Sequence, residues 1–342
     1  MVSQEATQVA ASRMALTQKL YGFASTQLVA VAARLGIAHH IHQEPRHPSD
    51  LAPLVGAAER PLHRILRGLV NEGIVTEDED GRFALTPMGQ PLRSDVPGSL
   101  RDQALLCGEL FYQAWGNLLQ SATTEAPAFE ATYGTDFFAY LAARHEVGDR
   151  FAGFMARNAR DVAAAVVSAY NFGSARRIVD VGGGYGILIA ALLRANPHLT
   201  GVVLDSASVV ARAAREIEAA GLAERCEVVA GDFFRFVPPG GDIYLLAQVL
   251  HDWDDDRCQH ILRTCREAMR DGDTLLVIEQ IMPVRITSPS SAVGQDIAML
   301  VLTGGRERTE RELRALLASS GFVASRVIPT NSRFSIVEGV RS

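Results

Sequence analysis

The stretch IVDVGGGYG, Ile178–Gly186, predicts a β-strand that runs directly into a glycine-rich turn. A run of β-branched residues ends at Asp180, and the helix-forming segment 187–194 follows the glycines. Glycine has no side chain, so such a turn brings bare backbone amides close to a ligand at the start of a helix. The stretch therefore predicts one βα unit of an α/β fold, with a binding site at its turn.

The spacing of the glycines narrows the choice of ligand. A dinucleotide fingerprint has glycines at relative positions one, three and six. Counted from Gly182 the sixth position is Ile187, and counted from Gly184 it is Ile189, so neither register fits. Asp180 would also repel a pyrophosphate and favours a ligand with positive charge, such as S-adenosylmethionine with its ammonium and sulfonium groups. The alternative interpretation is an ordinary glycine-rich turn that binds nothing.

Length and composition predict a globular protein of two domains. The chain has 342 residues, of which 48% are hydrophobic and 21% are charged. No apolar run approaches the ~20 residues of a membrane span, and residues 1–8 lack the pattern of a secretion signal. A net charge of −6 disfavours broad nucleic-acid binding. The four cysteines form no close pair, so we expect reduced thiols, no metal site and a cytoplasmic location.

Residues 1–100 are mostly helical in pattern and predict a winged helix. Apolar faces indicate helices over 14–35, 50–56 and 60–71, and an acidic turn at 78–81 predicts a hairpin after them. The third of these helices carries Arg60, Arg64 and Arg67, so a DNA-binding regulator has to be considered. The acids at 78–80 would face phosphate with like charge, which disfavours that alternative.

Residues 101–170 predict a helical linker, whose many aromatic residues suggest a contribution to an apolar substrate pocket. From residue 171 to 342, strands alternate with helices, which predicts a Rossmann-like doubly wound sheet that ends in an antiparallel hairpin. The predicted strands are 177–181, 200–204, 226–230, 243–247, 274–279, 323–328 and 334–340. The predicted helices between them are 187–195, 208–220, 255–268 and 310–320.

Polar residues follow successive strands at the sheet edge where ligands bind in this architecture. Asp205 ends the second strand of this domain, where a carboxylate can accept hydrogen bonds from both ribose hydroxyls. Gly231, Asp232 and Phe233 follow the third strand, and an acid beside an aromatic ring suits an adenine. Any one of these residues could be a helix cap or a solvated turn, but their order along the chain favours an adenosyl site.

One histidine lies at the rim of this predicted site. His251 follows the fourth strand, Glu279 ends the fifth, and Glu307 lies in a later loop. A carboxylate that fixes the tautomer of an imidazole is the arrangement a general base needs. The competing interpretation places Glu279 and Glu307 in surface ion pairs with nearby arginines, Arg285, Arg306 or Arg308.

Together these motifs resemble the class I S-adenosylmethionine-dependent O-methyltransferases of the plant caffeic-acid type and their bacterial secondary-metabolism relatives. The likeness covers nearly the whole chain. Its most specific elements are the glycine turn and the Leu-His-Asp-Trp segment 250–253. Similar segments occur at 35–37, 66–69, 85–89, 92–95, 231–234 and 307–309.

The resemblance implies a role for each of these positions. His251 would be the general base, with Glu279 and Glu307 orienting it. The residues expected to hold S-adenosylmethionine are Asp180, Gly182, Gly184, Asp205, Gly231, Asp232, Phe233 and Gln248, the last because Ala247 replaces a lysine found in plant members. The residues expected near the acceptor are Phe151, Met155, Asp252, Trp253 and Met299.

The family likeness also implies a homodimer through the first domain, and transfer of a methyl group to a hydroxyl of a small aromatic molecule. Two enzymatic alternatives stay open. The family includes phenazine N-methyltransferases and a relative that binds the cofactor yet hydroxylates its substrate.

Overall fold

In the computed structural model, which describes residues 4–342, the chain divides into two units, the first ending at Gln113 and the second starting at Ala114. The helix and turn that follow residue 100 thus join the first unit, and the remaining helices before the large sheet join the second. Within residues 4–342, the structure has no helix with the length and apolarity that a membrane crossing requires.

The first unit consists of helices around a small apolar core with one hairpin. Leu62, Leu66 and Leu69 lie on one face of α5 and are fully buried in this core. The helices are α1 (Gln4–Leu20), α2 (Gly22–Leu35), α3 (Ile37–Ile41), α4 (Pro48–Val55), α5 (Glu59–Asn71) and α6 (Arg101–Leu106), with a π-helical segment Cys107–Phe111 after α6. The hairpin pairs β1 (Val75–Glu77) with β2 (Phe83–Leu85) in antiparallel register.

The long helix predicted over 14–35 is two helices in the structure. α1 ends at Leu20, Tyr21 forms a turn, and α2 begins at Gly22. Glycine is among the weakest helix formers, so a break costs least at this point. The apolar face used for the prediction continues across the break, which is why periodicity alone did not reveal it.

The second unit is a seven-stranded sheet covered by helices on both faces. Its strands are β3 (Arg177–Val181), β4 (Thr200–Asp205), β5 (Cys226–Ala230), β6 (Ile243–Ala247), β7 (Thr274–Glu279), β8 (Phe322–Pro329) and β9 (Ser335–Arg341). Its helices are α7 (Tyr112–Trp115, at the boundary), α8 (Leu118–Thr124), α9 (Ala128–Tyr133), α10 (Phe137–Ala143), α11 (His145–Ala169), α12 (Ile187–Ala195), α13 (Ala207–Ala219), α14 (Asp255–Ala268), α15 (Ser291–Leu302) and α16 (Glu310–Ser319).

The strand order is β5-β4-β3-β6-β7-β9-β8, in which β9 runs antiparallel to both of its neighbours, β7 and β8, and the other strands run parallel to one another. The predicted doubly wound sheet with a closing antiparallel hairpin is therefore confirmed. Alternate residues of each strand enter two separate cores, as Ile178 and Val179 do on β3.

The strand order reverses between β3 and β6, and this switch point fixes where the site lies. Residues Ile178–Asp180 of β3 pair with Ile243–Leu245 of β6, so the carboxyl ends of both strands open at one edge. A crevice outside these ends is the ordinary ligand site of an open α/β sheet. The glycine turn after β3 and the histidine loop after β6 both follow these ends.

Candidate active site

The glycine turn after β3 needs its glycines for backbone geometry and for space. Gly182 and Gly184 have φ angles of +71° and +57°, which residues with a side chain rarely adopt. A Cβ added at Gly182 would lie 2.9 Å from Cγ2 of Val249, and one at Gly183 would lie 2.7 Å from Cγ of Asp180. At Gly184 the same added atom would meet open space, so the backbone there is free to approach a ligand.

Two carboxylates lie beneath this turn. Asp205, at the end of β4, accepts hydrogen bonds from the backbone N–H of Gly184 at 2.8 Å and of Ser206 at 2.7 Å. Asp180, at the end of β3, is 1% exposed, and among residues 4–342 neither of its carboxylate oxygens has a hydrogen-bond partner. Burial, followed by the nearby charge of Asp205, raises the pKa of Asp180 to about 7.

The loops after β5 and β6 close the other side of the turn. The ring of Phe233 lies 3.5 Å from where a Cβ on Gly182 would be. Its neighbour Asp232 has a half-exposed side chain whose Oδ1 accepts a hydrogen bond from the N–H of Phe234. Gln248 has a φ angle of +56°, a strained conformation for a residue with a side chain, and such strain is often found at functional sites.

These residues suit a cofactor that brings positive charge. Asp180 is a buried carboxylate to which no group within residues 4–342 donates a hydrogen bond. Burial of such a group costs free energy unless an opposite charge or a donor compensates it. The open space in this turn lies at Gly184, whose N–H donates to Asp205, and Gly231 extends this edge by donating its N–H to the carbonyl of Asp205.

His251 lies among three carboxylates. Its Nδ1 is 2.9 Å from Oε1 of Glu307 and 3.3 Å from Oε2 of Glu279, while its Nε2 is 3.8 Å from Oδ1 of Asp252. The structure therefore brings together all three predicted catalytic residues. With Nδ1 donating its proton to Glu307, Nε2 is the ring nitrogen left to accept a proton.

The protonation of this group follows from burial and from charge. Burial lowers the pKa of His251, but the charges of Glu279, Asp252 and Glu307 outweigh it and raise this pKa to about 10. Burial also raises the pKa of Glu279, against the opposing effect of His251. His251 is thus a strong base, and it carries a proton at neutral pH when the site is empty.

The same three side chains offer ligand atoms within 4.8 Å of one another, a spacing that a metal ion could use. The hydrogen bond between Nδ1 and Glu307 offers a different explanation for this cluster, because a protonated imidazole compensates the charge of the buried carboxylates without a metal. The absence of a metal remains a prediction.

Glu279 also folds the turn that carries His251. Its Oε1 accepts hydrogen bonds from the backbone N–H groups of Val249, Leu250 and His251, at 3.1, 3.0 and 3.4 Å. The turn at Leu250–Asp252 is a single 3₁₀ turn. The carboxylate at the end of β7 thus fixes the backbone and faces the ring of the same histidine.

A buried arginine holds the other side of this turn. Arg308 is 2% exposed and donates to the carbonyl oxygens of Leu250 and Trp253, at 2.9 and 2.8 Å. Its charge is compensated by Asp255, which also pairs with Arg306. Glu279 and Glu307 are buried against His251. The interpretation of these two acids as partners of surface arginines was therefore wrong.

The residues predicted near the acceptor lie on three elements. Phe151 and Met155 lie four residues apart on α11, and the ring of Phe151 is 5.0 Å from that of Phe137. Met299 is buried on α15, with Oγ1 of Thr303 at 3.8 Å from its sulfur. Asp252 and Trp253 belong to the histidine loop itself.

Several residues around the site were not predicted from the sequence. Arg308 belongs to the segment 307–309 that was used for the prediction, yet the sequence does not indicate that its side chain is buried. Asp296 on α15 accepts a hydrogen bond from the N–H of Glu307 at 2.9 Å. A Cβ at Gly305 would lie 2.0 Å from the carbonyl oxygen of His251, so the backbone of this loop packs directly against the turn that carries His251.

Comparison with known proteins identifies the family. The chain matches the O-methyltransferase domain family over residues 115–323, and residues 24–98 match the HVO_A0261 N-terminal domain. The phenazine O-methyltransferase PhzM of Lysobacter antibioticus is 42% identical over 94% of this chain and 94% of its own. The O-demethylpuromycin-O-methyltransferase of Streptomyces alboniger is 40% identical over 98% of this chain and 91% of its own.

A solved structure supports the same conclusion. NcsB1, an O-methyltransferase from neocarzinostatin biosynthesis, was solved in complex with S-adenosyl-L-homocysteine and 1,4-dihydroxy-2-naphthoic acid. It superposes with a TM-score of 0.84 at 34% identity, over 93% of this chain and 96% of its own. The chain belongs to the O-methyltransferase domain family. It is an S-adenosylmethionine-dependent O-methyltransferase.

Proposed function

We propose that this enzyme methylates a hydroxyl group of a small aromatic secondary metabolite, with His251 as the general base. The observation that supports the proposal most strongly is the buried Glu307–His251 pair. Its geometry fixes the proton on Nδ1 and leaves Nε2 to accept a proton. Both relatives and NcsB1 are named as O-methyltransferases, and their named substrates or ligands include a phenazine and a dihydroxynaphthoic acid.

The proposed mechanism is proton removal from the acceptor hydroxyl together with methyl transfer to its oxygen. In the neutral form of His251, Nε2 accepts the hydroxyl proton, and Glu279 and Glu307 stabilise the resulting imidazolium. When bound, S-adenosylmethionine supplies a methyl group on a positively charged sulfur and leaves as S-adenosyl-L-homocysteine. A phenol has an ordinary pKa near ~10, about that of His251, so proton transfer between them is nearly balanced in free energy.

The cofactor would be held at the edge formed by β3, β4 and β5. Asp205 would accept hydrogen bonds from the ribose hydroxyls, while Asp232 and Phe233 would contact the adenine. Asp180 would compensate the positive charge of the cofactor through the glycine turn. The side chain of Gln248 lies after β6, where the family's plant members have a lysine one residue earlier.

The alternatives differ in what they require of His251. A ring nitrogen already has a free electron pair, so N-methylation of a phenazine needs little help from a base. The buried triad of His251, Glu279 and Glu307 therefore favours transfer to oxygen.

We further propose that the first unit forms a homodimer and that helices before residue 170 contribute to the acceptor pocket. We expect the enzyme to work in the cytoplasm, since residues 4–342 contain no disulfide in the structure. Methyl transfer that is unchanged in a metal chelator would support the proposed absence of a metal.

Two substitutions separate the base from the cofactor site. In His251→Gln we expect turnover to fall by about 10²–10⁴, the range that general acid–base catalysis supplies, with cofactor affinity nearly unchanged. In Asp205→Asn we expect the reverse, weaker cofactor binding with less effect on turnover at saturation.

The measurements are radiolabelled methyl transfer to a panel of phenols, quinones and phenazines, and calorimetric titration with S-adenosylmethionine. Equal loss of cofactor affinity in His251→Gln would show that His251 is structural.

A further inference from the structure

Two carbonyl oxygens of the turn that carries His251 accept hydrogen bonds from one side chain outside the turn. Leu250 immediately precedes His251, and Trp253 follows it by two residues. Arg308 donates from Nη1 to the carbonyl of Leu250 at 2.9 Å and from Nη2 to that of Trp253 at 2.8 Å. One guanidinium group therefore bridges the backbone on both sides of His251.

The other donors of this guanidinium group are also used. Nε and Nη2 donate to Oδ1 of Asp255 at 2.9 and 2.7 Å, and Nη1 donates to the carbonyl of Arg306 at 3.4 Å. With the two bonds to the turn, these make as many hydrogen bonds as arginine has N–H donors, which is about five. Lysine cannot reproduce this planar set, because its three donors surround a single nitrogen.

Burial keeps the guanidinium group in place. The side chain of Arg308 is 2% exposed, so water has little access to its donors. Asp255, the first residue of α14, compensates the charge with a half-exposed carboxylate. A buried cation that leaves such a partner is strongly unfavourable. The pair thus ties the turn that carries His251 to the start of α14.

Arg308 is also the chain neighbour of the acid that orients the histidine ring. Glu307 accepts from Nδ1 of His251 at 2.9 Å, and Arg308 is the next residue along the chain. The carboxylate of this dipeptide therefore holds the ring, and its guanidinium group holds the backbone that carries the ring. A displacement of one of these side chains has to change the hydrogen bond between Nδ1 and Glu307.

The position of a proton acceptor strongly affects its rate of reaction. A misplacement of about 1 Å at a reacting group can lower a rate by about 10². The hydrogen bonds of Arg308 described above go to none of the residues expected to hold the cofactor. Its bond to Trp253 uses the backbone carbonyl, so the indole ring is not involved. The expected effect of Arg308 is therefore on the chemical step.

We propose that Arg308 is a positioning residue for His251, and that it acts through the planar arrangement of its donors. This inference rests on the function proposed above, in which His251 is the general base. Without that arrangement, Nε2 of His251 would be displaced from the acceptor hydroxyl. The kcat should then fall, while the KM for the acceptor and the affinity for the cofactor are preserved.

Two substitutions separate the donors from the charge. Arg308→Lys keeps the charge and loses the planar donor set, whereas Arg308→Gln loses both. Asp255 still pairs with Arg306 in the second variant, so its carboxylate keeps a partner. Arg306→Lys is the matched control, because Arg306 is exposed on the same loop and its side chain pairs with Asp255 and Glu312 instead of the turn.

We expect kcat to fall by about tenfold to hundredfold in both Arg308 variants and to be unchanged in Arg306→Lys. The kcat is counted per cofactor-binding site, which calorimetric titration with S-adenosylmethionine gives, so unfolded protein does not affect it. An unchanged kcat in Arg308→Lys, even with a lower Tm, would overturn the inference. Loss of cofactor binding in both Arg308 variants would also overturn it, because it would show a role in folding.

The pH profile of Arg308→Lys tests the effect on the ring itself. The inflection in kcat/KM should move from about pH 10 to lower pH, because a displaced ring loses contact with the acids that raise its pKa, Glu279, Asp252 and Glu307. The acceptors used have a phenol pKa well away from this value. A role in folding alone would leave the inflection where it is, and that result would contradict the inference.

A double variant separates this inference from the function on which it rests. If Arg308 acts through His251, its replacement should cost little once the base is gone, since the effects of coupled residues do not add. His251→Gln/Arg308→Lys should therefore be about as slow as His251→Gln. A double variant slower by the full factor of Arg308→Lys would overturn the positioning role and retain His251 as the base. Parent turnover in His251→Gln would refute the proposed function itself.

Discussion

At the scale of the single residue, the contact with Glu307 fixes which ring nitrogen of His251 holds its proton in the neutral form. Its carboxylate is 2.9 Å from Nδ1, which selects the tautomer and helps to raise the pKa of the ring. A base with a pKa near 10 has to lose its proton before it can act, or it receives the acceptor as a phenolate. Both routes lead to the same pair of imidazolium and phenolate. Activity should therefore increase with pH above neutrality.

Glu307→Gln should change both the rate and its pH dependence. We expect kcat to fall by about tenfold to hundredfold, a part of what a general base supplies. The inflection in kcat/KM should move from about pH 10 to lower pH, because a carboxylate that raises the pKa of His251 has been removed. Profiles are measured with acceptors whose own phenol pKa lies well away from this value. Glu310→Gln, at an exposed glutamate on α16, is the control, and an unmoved inflection would contradict the assignment.

At the scale of elements, the catalytic turn is held by contacts from distant segments. Glu279 at the end of β7 binds its backbone N–H groups, and Arg308 binds its carbonyl oxygens. The loop before α16 passes so closely that Gly305 has no room for a side chain. The position of His251 thus depends on segments about 30 and 60 residues away along the chain.

Gly305→Ala should displace this turn. The added methyl group would lie 2.0 Å from the carbonyl oxygen of His251, so the backbone has to move and both Tm and kcat should fall. Gly294→Ala is the matched control, because it lies inside α15 and an added Cβ meets nothing within 4 Å. This control should gain up to about 1 kcal/mol of stability, as alanine replaces glycine in a helix. If Gly305→Ala is as active and stable as Gly294→Ala, the close packing of Gly305 against His251 does not matter for activity or stability.

The elements that the sequence predicted well are those with strong local patterns. β3, β5, β6, β7, α12 and α14 have their predicted bounds, because apolar runs and glycine or acidic caps delimit them. α15 was missed, because it is apolar on most sides and its helical periodicity is weak. The acids at strand ends could be placed at one edge from topology alone. The burial of Arg308 and the crossing at Gly305 could not, since they depend on how distant loops pack.

At the scale of the whole molecule, charge buried for function affects stability. Asp180 is buried at the end of β3, where the described part of the chain offers its carboxylate no hydrogen-bond donor, and its pKa is raised to about 7 by burial and by Asp205. Between about pH 4 and pH 7 the native chain keeps this proton and the unfolded chain does not. Stability of the cofactor-free enzyme should therefore fall as the pH rises across this interval, and the loss persists above it.

Asp180→Asn should remove this loss. At about pH 8 the cofactor-free variant should be more stable than the parent by up to about 4 kcal/mol, less the cost of burying an amide. The gain should shrink as the pH is lowered toward about 4. Urea unfolding at both pH values measures it, and calorimetry should show weaker cofactor binding. A gain of equal size at both pH values would mean that Asp180 is not protonated in the folded enzyme.

The first unit carries the exposed apolar surface expected of an oligomer. Met14, Leu20 and Tyr21 are each more than 60% exposed around the junction of α1 and α2. A segment with several exposed large apolar side chains is a candidate interaction site. It supports the homodimer proposed above.

The double variant Leu16→Glu/Leu20→Glu should be monomeric, because two charges would have to be buried in the interface. Light scattering after size-exclusion chromatography gives the mass of each variant. Val284→Glu, at an exposed apolar residue of the second unit, should leave the dimer intact. A parent chain that is already monomeric would refute the proposed assembly.

The three hydrogen bonds that Glu279 receives from the catalytic turn have a consequence for how such an enzyme can change over generations. In the proposed mechanism Glu279 would serve the chemistry and the folding of the same turn, so almost any substitution there would lose both at once. Phe138, an exposed side chain on α10, has no polar group that could hold that backbone. New acceptors would therefore be acquired by substitutions at exposed positions of this kind, while Glu279 stays fixed.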